Sequence, residues 1–257
     1  MLSFHARRAE VRDRFMSKGA TPLSLPDLGR ISDMLLVVVG DEHDVRNVVV
    51  ESGLLDAMRP GAILVIHSSI PPDAVRALAS QTEMRGVHLL DAPVSGGRDR
   101  SYAGDLTILV GGEPAVVDAV RPVMTAYASR IVRVGPAGSG QRIKSLNNYF
   151  YAAHLATAAK MIELIRAFGL DIEAAAEALP LCSGSSAAFA MQARHIFERT
   201  QHDKGVEHAM DLLTGVVESL RASARSAGVD LGPIDRLVDQ GLAGERARAG
   251  IGKPDFC

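Results

Sequence analysis

Residues 35–90 read LLVVVGDEHDVRNVVVESGLLDAMRPGAILVIHSSIPPDAVRALASQTEMRGVHLL. Three apolar runs stand out: Leu35–Val39, Ile63–His67 and Val87–Leu90. They are rich in Val, Ile and Leu and show little alternation of polarity, the pattern of strands covered on both faces, as in a parallel sheet. Between them, Glu42–Met58 and Pro72–Glu83 read as helices. The second opens on Pro71-Pro72-Asp73 behind Ser68 and Ser69, a composition that starts helices. Strands separated by helices give βαβ crossovers, so the fold class is α/β.

The same alternation extends outward. Leu2–His5 is a strand candidate followed by a helix over Ala9–Lys18. Downstream come a strand at Leu106–Val110, a helix over Glu113–Ala128 and a strand at Ile131–Val134. The shorter links among these later strands allow an antiparallel part. A dinucleotide-binding domain opens with a strand, a Gly-rich turn and a helix. No Gly-x-Gly-x-x-Gly lies near residue 1, and Leu2–His5, leading into Ala6-Arg7-Arg8, reads as the second strand of such a fold. The expectation is an incomplete domain whose first βα unit, roughly 25–30 residues by the usual size of a βαβ unit, is missing. The alternative is a smaller complete domain that never had the motif.

After Gly135 the character changes. Gly135-Pro136-Ala137-Gly138-Ser139-Gly140 is turn-forming and marks a domain boundary. From Gln141 to Phe168 there is no Gly or Pro, and Gly169 supplies a stop. Such a helix is about 42 Å long. It is apolar around much of its circumference, which calls for burial between other helices. Helical patterns follow at Ile172–Leu179, Ala187–Arg199, Val206–Ala227 and Pro233–Ala243, and Ala249–Cys257 reads as a tail. The reading is a partial nucleotide-binding domain over residues 1–136 and an all-α domain over 137–257.

Composition narrows the partners. Hydrophobic residues are 47% and charged residues 23%, and the formal charge is −2, so no net basic field serves nucleic acid or an anionic membrane. The apolar runs Met34–Val39 and Ala62–Ile66 fall far short of the ~20 residues of a membrane helix. Met1–Arg14 lacks the apolar stretch of a signal peptide. Two cysteines, Cys182 and Cys257, cannot make a disulfide framework and fit a reducing compartment. The expectation is a soluble cytoplasmic protein with a small-molecule partner. The eight histidines are scattered without metal-ligand spacing, and Gly-x-Ser-x-Gly is absent, which speaks against metal catalysis and a hydrolase.

Three places can carry chemistry. Lys144 and Asn148 share a face near the start of the long helix, with Ser145 and Asn147 beside them. The lysine can act as a general acid and the asparagine can hold an oxygen; equally, the first turns can simply protrude into solvent. Asp91-Ala92-Pro93-Val94-Ser95-Gly96-Gly97 follows a strand, at the end where open α/β sheets bind ligands. There Ser95 and the N–H groups of Gly96 and Gly97 can take a carboxylate, or the segment is an ordinary connection. Ser68 and Ser69 can touch a cofactor or cap the next helix. Ser183-Gly184-Ser185-Ser186 can bind substrate or cap a helix, and Gly138-Ser139-Gly140 reads as a domain-joining turn.

The combination of Asp91–Gly97, then Gly104-Asp105 leading into Leu106–Gly112, then Gly138-Ser139-Gly140 with Lys144, Asn147 and Asn148, resembles the β-hydroxyacid dehydrogenases. That family includes 3-hydroxyisobutyrate dehydrogenase, tartronate semialdehyde reductase and relatives of 6-phosphogluconate dehydrogenase, and the likeness runs from about Leu2 to Pro233. The resemblance implies an N-terminal Rossmann-type domain, here lacking its first βα unit, followed by an all-α domain built around the long helix. It implies hydride exchange between a nicotinamide cofactor and a small 3-hydroxy acid or its semialdehyde. It implies Lys144 as acid/base, Asn148 as substrate orienter, and Ser95, Gly96 and Gly97 as the carboxylate grip. Val39, Gly40 and Ser69 fall where the family contacts the cofactor. Arg7, at the end of the second strand with no acidic residue there, suits a 2′-phosphate and so NADP over NAD. The family's late Lys-Asp pair corresponds to Gly215 and Val216, which replace neither charge. The resemblance also implies a homo-oligomer formed through the α domain. The competing reading is a truncated, inactive remnant that only binds or oligomerises.

Overall fold

The computed structural model describes residues 2–198 and 205–250. The tail from Ile251, with Cys257, and His202 lie outside the described residues. The chain divides into two compact units, Met1–Lys144 and Ser145–Cys257.

The first unit begins with β1 (Ser3–Phe4), α1 (Ala9–Met16) and β2 (Thr21–Pro22). The strands pair in parallel, Ser3 with Thr21 and Phe4 with Pro22, as a separate two-stranded sheet. Next come α2 (Leu25–Ile31) and β3 (Met34–Val37). The run expected as one helix over Glu42–Met58 is instead three pieces: α3 (Glu42–Arg46), a π-helical stretch Asn47–Glu51 and α4 (Leu54–Ala57). The β-branched residues Val48, Val49 and Val50 crowd a helix. Gly53 then turns at φ 77°, and Ser52 Oγ donates to the Val48 carbonyl at 2.7 Å.

The larger sheet continues with β4 (Ile63–Ile66), α5 (Pro72–Glu83), β5 (His88–Asp91), β6 (Val94–Ser95), α6 (Gly97–Tyr102), β7 (Leu106–Gly111), α7 (Pro114–Met124) and β8 (Ala128–Gly135). β3, β4 and β5 are parallel, in the register Val37 to Ile66 to Asp91 at their carboxyl ends. β5 meets β7 antiparallel at Asp91 and Gly111, and β6 continues along that edge with Ser95 opposite Thr107. β8 lies parallel on the other edge of β7. The antiparallel part is therefore real: β7 runs against both β5 and β6, and β6 is too short to read from sequence.

The central strands β4, β5 and β7 are largely buried on both faces, as their unalternating sequences implied, whereas β8 is mostly exposed. Leu64 and Ile66 face one core with Val37, Val49, Leu54 and Val75, whereas Val65 between them faces another with Leu90, Ile108, Val110 and Val120. Gly29 on α2 allows close packing on α4: a Cβ there would lie 2.5 Å from the Leu54 carbonyl oxygen.

α8 (Ser139–Ala167, 29 residues) leads from the first unit into the second, which holds α9 (Ile172–Ala178), a 3-10 turn Leu179–Leu181, α10 (Ala187–Glu198), α11 (Gly205–Ser226) and α12 (Gly232–Arg248). Tyr149, Ala152 and Ala153 of α8 pack with Val217 and Val238. Leu155, Ala158, Ile162 and Ile165 pack with Ala188 and Phe189. α12 reaches the α8 backbone through Gly241, where a Cβ would collide with the Ala152 carbonyl. Inside this unit Arg221 binds Glu218, Asp235 and Asp239, and Tyr149 donates to Asp235 at 2.7 Å.

Candidate active site

In the first unit the parallel strands end side by side, and their ends are stitched together. Ser68, just past β4, donates its hydroxyl to the Val39 carbonyl at 2.9 Å and accepts from the Val39 N–H at 2.8 Å. The Gly40 N–H donates to Asp44 at 3.3 Å. Ser68 thus joins two strand ends and does not cap α5, whose start at Pro71 has no side-chain cap. Ser69 beside it is half-buried, and its hydroxyl has no hydrogen-bond partner among the described residues. His67 is buried, with Nδ1 2.6 Å from the Ala92 carbonyl and Nε2 2.9 Å from the Tyr127 hydroxyl. Burial lowers its pKa, which keeps the ring neutral and structural.

Asp91 closes β5. Burial pushes its carboxyl upward, against the backbone N–H groups of Gly138, Gln141 and Gly140, which favour the anion. Its two oxygens accept from Gly138 and Gln141, so it caps α8 from outside the helix. Gly138-Ser139-Gly140 is therefore the tied start of α8. Lys144 lies one turn on. It is half-buried, burial lowers its pKa, and no carboxylate among the described residues pairs with it. Lys144 and the segment Ser95–Gly97 thus both radiate from Asp91, one along α8 and one along the chain.

Ser95 sits in β6 opposite Thr107. Gly96 and Gly97 adopt φ 142° and 70°, conformations that favour glycine, and Gly97 opens α6, so its N–H has no intrahelical acceptor. Asn148 lies one turn beyond Lys144 on α8, half-buried, and accepts from the Asn147 amide at 3.3 Å.

Arg7, expected to face a 2′-phosphate, is exposed and paired with Asp44 at 3.1 Å. Close by is a cleft of about 410 Å³ lined by His5, Ala6, Arg12, Pro22, Leu23, Ser24 and Asp27. Arg12 there was not singled out in the sequence; its place one helical turn after Arg8 was the available signal. Gly215 on α11 is exposed with open space around it. Ser186 accepts from the Phe189 N–H at 3.1 Å, so the Ser183–Ser186 loop caps α10. Among the described residues no group of three or more His, Cys, Asp or Glu could hold a metal, and no helix is long and apolar enough to cross a membrane.

Two family models match the chain. The NAD-binding domain of 6-phosphogluconate dehydrogenase covers residues 2–135, and the NAD-binding domain of NADP-dependent 3-hydroxyisobutyrate dehydrogenase covers 138–240. An uncharacterized oxidoreductase of Shewanella frigidimarina is 33% identical over 83% of this chain and 72% of its own. An L-threonate dehydrogenase of Cupriavidus necator is 30% identical over 74% of this chain and 65% of its own. The alignments of the first three relatives thus span about half to three quarters of those proteins' length, from 49% to 72%. A 3-hydroxyisobutyrate dehydrogenase from Salmonella typhimurium shares the fold, with a TM-score of 0.82 at 21% identity over 98% of this chain and 87% of that one. With strands, capped helix and matched models in agreement, the chain belongs to the β-hydroxyacid dehydrogenase family of 3-hydroxyisobutyrate dehydrogenase-like oxidoreductases.

Proposed function

We propose that this chain is an NADP-dependent oxidoreductase that interconverts a small 3-hydroxy acid and its semialdehyde, with Lys144 as acid/base. The observation that carries the reading is Lys144 itself: a half-buried lysine without a carboxylate partner among the described residues, one turn into a helix capped by the sheet. Desolvation lowers its pKa, which eases the loss of the proton that a general acid gives up.

The residues at the strand ends fit a nicotinamide dinucleotide. Ser69 offers a half-buried hydroxyl without a described partner, next to the tied Val39–Gly40 turn, at the carboxyl edge where such folds take ligands. Val39, Gly40 and Ser69 would hold the cofactor, and Arg7 would meet a 2′-phosphate by releasing Asp44. Hydride exchange is the chemistry that a bound nicotinamide supplies. The chain's own residues supply the rest. Ser95 and the N–H groups of Gly96 and Gly97 grip the substrate carboxylate, and Asn148 holds the reacting oxygen. In reduction the Lys144 ammonium gives its proton to the carbonyl oxygen as that carbon becomes an alcohol carbon. In oxidation the neutral amine takes the hydroxyl proton.

A homo-oligomer through the α domain belongs to the same proposal. Leu146, Phe150, Met161, Leu164 and Phe168 stay between 43% and 71% exposed along α8, an apolar stripe suited to a second copy. Titration with NADPH and NADH, followed by assay with 3-hydroxy acids and semialdehydes, tests the reading. NADPH binding with turnover that Lys144→Met abolishes is the expected result. A folded chain that binds neither cofactor favours the binding-only reading, to which Gly215 and Val216 also point.

A further inference from the structure

Asp91 is a fully buried carboxylate that the proposed chemistry does not touch. Its Oδ1 accepts from the Gly138 N–H at 2.7 Å and its Oδ2 from the Gln141 N–H at 2.8 Å. The buried Gln141 side chain carries the tie further. Its Nε2 donates to the Ser68 carbonyl at 2.7 Å and its Oε1 accepts from the Ile70 N–H at 3.3 Å. Four bonds therefore fasten the first turn of α8 to the carboxyl ends of β4 and β5. Glycines make room for them. A Cβ at Gly140 would lie 2.8 Å from both the Asp91 carbonyl oxygen and its carboxylate, and a Cβ at Gly111 would strike the same carboxylate.

A serine or asparagine at the helix start would cap α8 locally. The cap here comes from a residue 47 positions upstream. A distant cap does something that a local one cannot: it sets the helix in register with the sheet. Lys144 follows Gln141 by three residues, about 4.5 Å along the axis, on the same side of the helix. Ser95 follows Asp91 by four residues on the other arm.

We infer that Asp91, with Gln141 as its extension, is a positioning pair that fixes where the Lys144 ammonium stands relative to the Ser95–Gly97 segment. The inference rests on the reading of Lys144 as the acid/base. Neither residue touches substrate; both act through the first turn of α8. Burying a charge is costly unless its hydrogen bonds are satisfied, and here the bonds from Gly138 and Gln141 hold that turn.

The test compares wild type with Asp91→Asn and Gln141→Leu, using one readout that needs no turnover. Native protein is labelled briefly with acetic anhydride, and the reactivity of Lys144 is measured by peptide mass spectrometry against the exposed Lys18 and Lys160. Amide exchange of the peptide covering residues 138–144 is followed in parallel. Asp91→Asn keeps the shape but sets an amide N–H₂ against one of the two backbone donors. The expected result is altered labelling of Lys144 alone, with exchange at the helix start faster by about tenfold or more as that turn opens locally. In active preparations, kcat falls about tenfold to a hundredfold, as misplacement of a catalytic group implies, with little change in KM for the cofactor. Unchanged Lys144 labelling and kcat beside a lowered melting temperature overturns the inference and leaves Asp91 a stabilising cap. If Asp91→Asn fails to fold, Gln141→Leu decides by the same criteria. Altered Lys144 labelling in a protein whose turnover ignores Lys144→Met would instead sink the acid/base reading while the positioning stands.

Discussion

Replacing Gly140 by alanine adds one methyl group where the backbone leaves no room. The new Cβ would lie 2.5 Å from the Leu109 carbonyl oxygen and 2.8 Å from the Asp91 carbonyl and carboxylate oxygens. These are strand atoms and a clamped carboxylate, so the helix must move. Overpacking of this kind costs about 1–3 kcal/mol. A shift that breaks the Gly138 and Gln141 bonds to a buried charge adds about 1.5–3 kcal/mol for each bond lost. With one bond lost the expectation is ~2.5–6 kcal/mol, or a fall of roughly 5–24 °C in the melting of a unit this size. Gly244→Ala in α12 is the control, because its Cβ would meet nothing within 4 Å. It should stabilise by about 0.5–1 kcal/mol through helix propensity. Thermal denaturation by circular dichroism, with urea melts for free energies, measures both. A Gly140→Ala melting point within about 2 °C of wild type would mean that α8 is not held against β5 and β7 as described.

Four further expectations follow from the same structure. Lys144→Met removes a penalised buried cation: turnover is lost, and stability at neutral pH rises slightly, by equilibrium denaturation. Because the folded pKa of Lys144 lies below its unfolded value, stability from this group increases as pH climbs from the folded value toward 10.5; a wild-type-minus-Met curve without that slope contradicts the burial. Asp91 is the opposite case. Its folded pKa is raised above 3.8, so its contribution declines as pH rises through the window above 3.8, and the decline should vanish in Asp91→Asn. Arg7→Ala should weaken NADPH binding more than NADH binding in fluorescence titrations, and equal losses would remove Arg7 from cofactor choice. Gly241→Ala drives a methyl group into the Ala152 carbonyl and should destabilise the α-helical unit by about 1–3 kcal/mol, read from its own unfolding transition.

The parallel strands were legible because burial on both faces forces continuous apolar runs: Leu64, Val65 and Ile66 are all fully buried. α5 was bounded correctly, and its start was marked by Pro71-Pro72-Asp73. The helix over Glu42–Met58 misled, because its apolar spacing is helical while three consecutive valines and Gly53 distort the backbone. β2 and β6 were invisible, since two residues carry no periodicity and Pro22 argues against a strand. Lys144 and Asn148, the residues of the proposed site on α8, were singled out by their spacing on an apolar helix. The roles of Asp91 and Gln141 could not be seen, because their partners lie 47 to 73 positions away and only the folded sheet brings them together. Arg7 was read as a free cation because Asp44, its partner, stands 37 positions away.

The remote cap on α8 also constrains how this protein can be recombined. A crossover placed in the loop before Gly138 looks harmless, since it falls between elements. It would separate the carboxylate at Asp91 from the amides that it receives. Chimeras with other members of the family should therefore inherit the end of β5 and the start of α8 from the same parent.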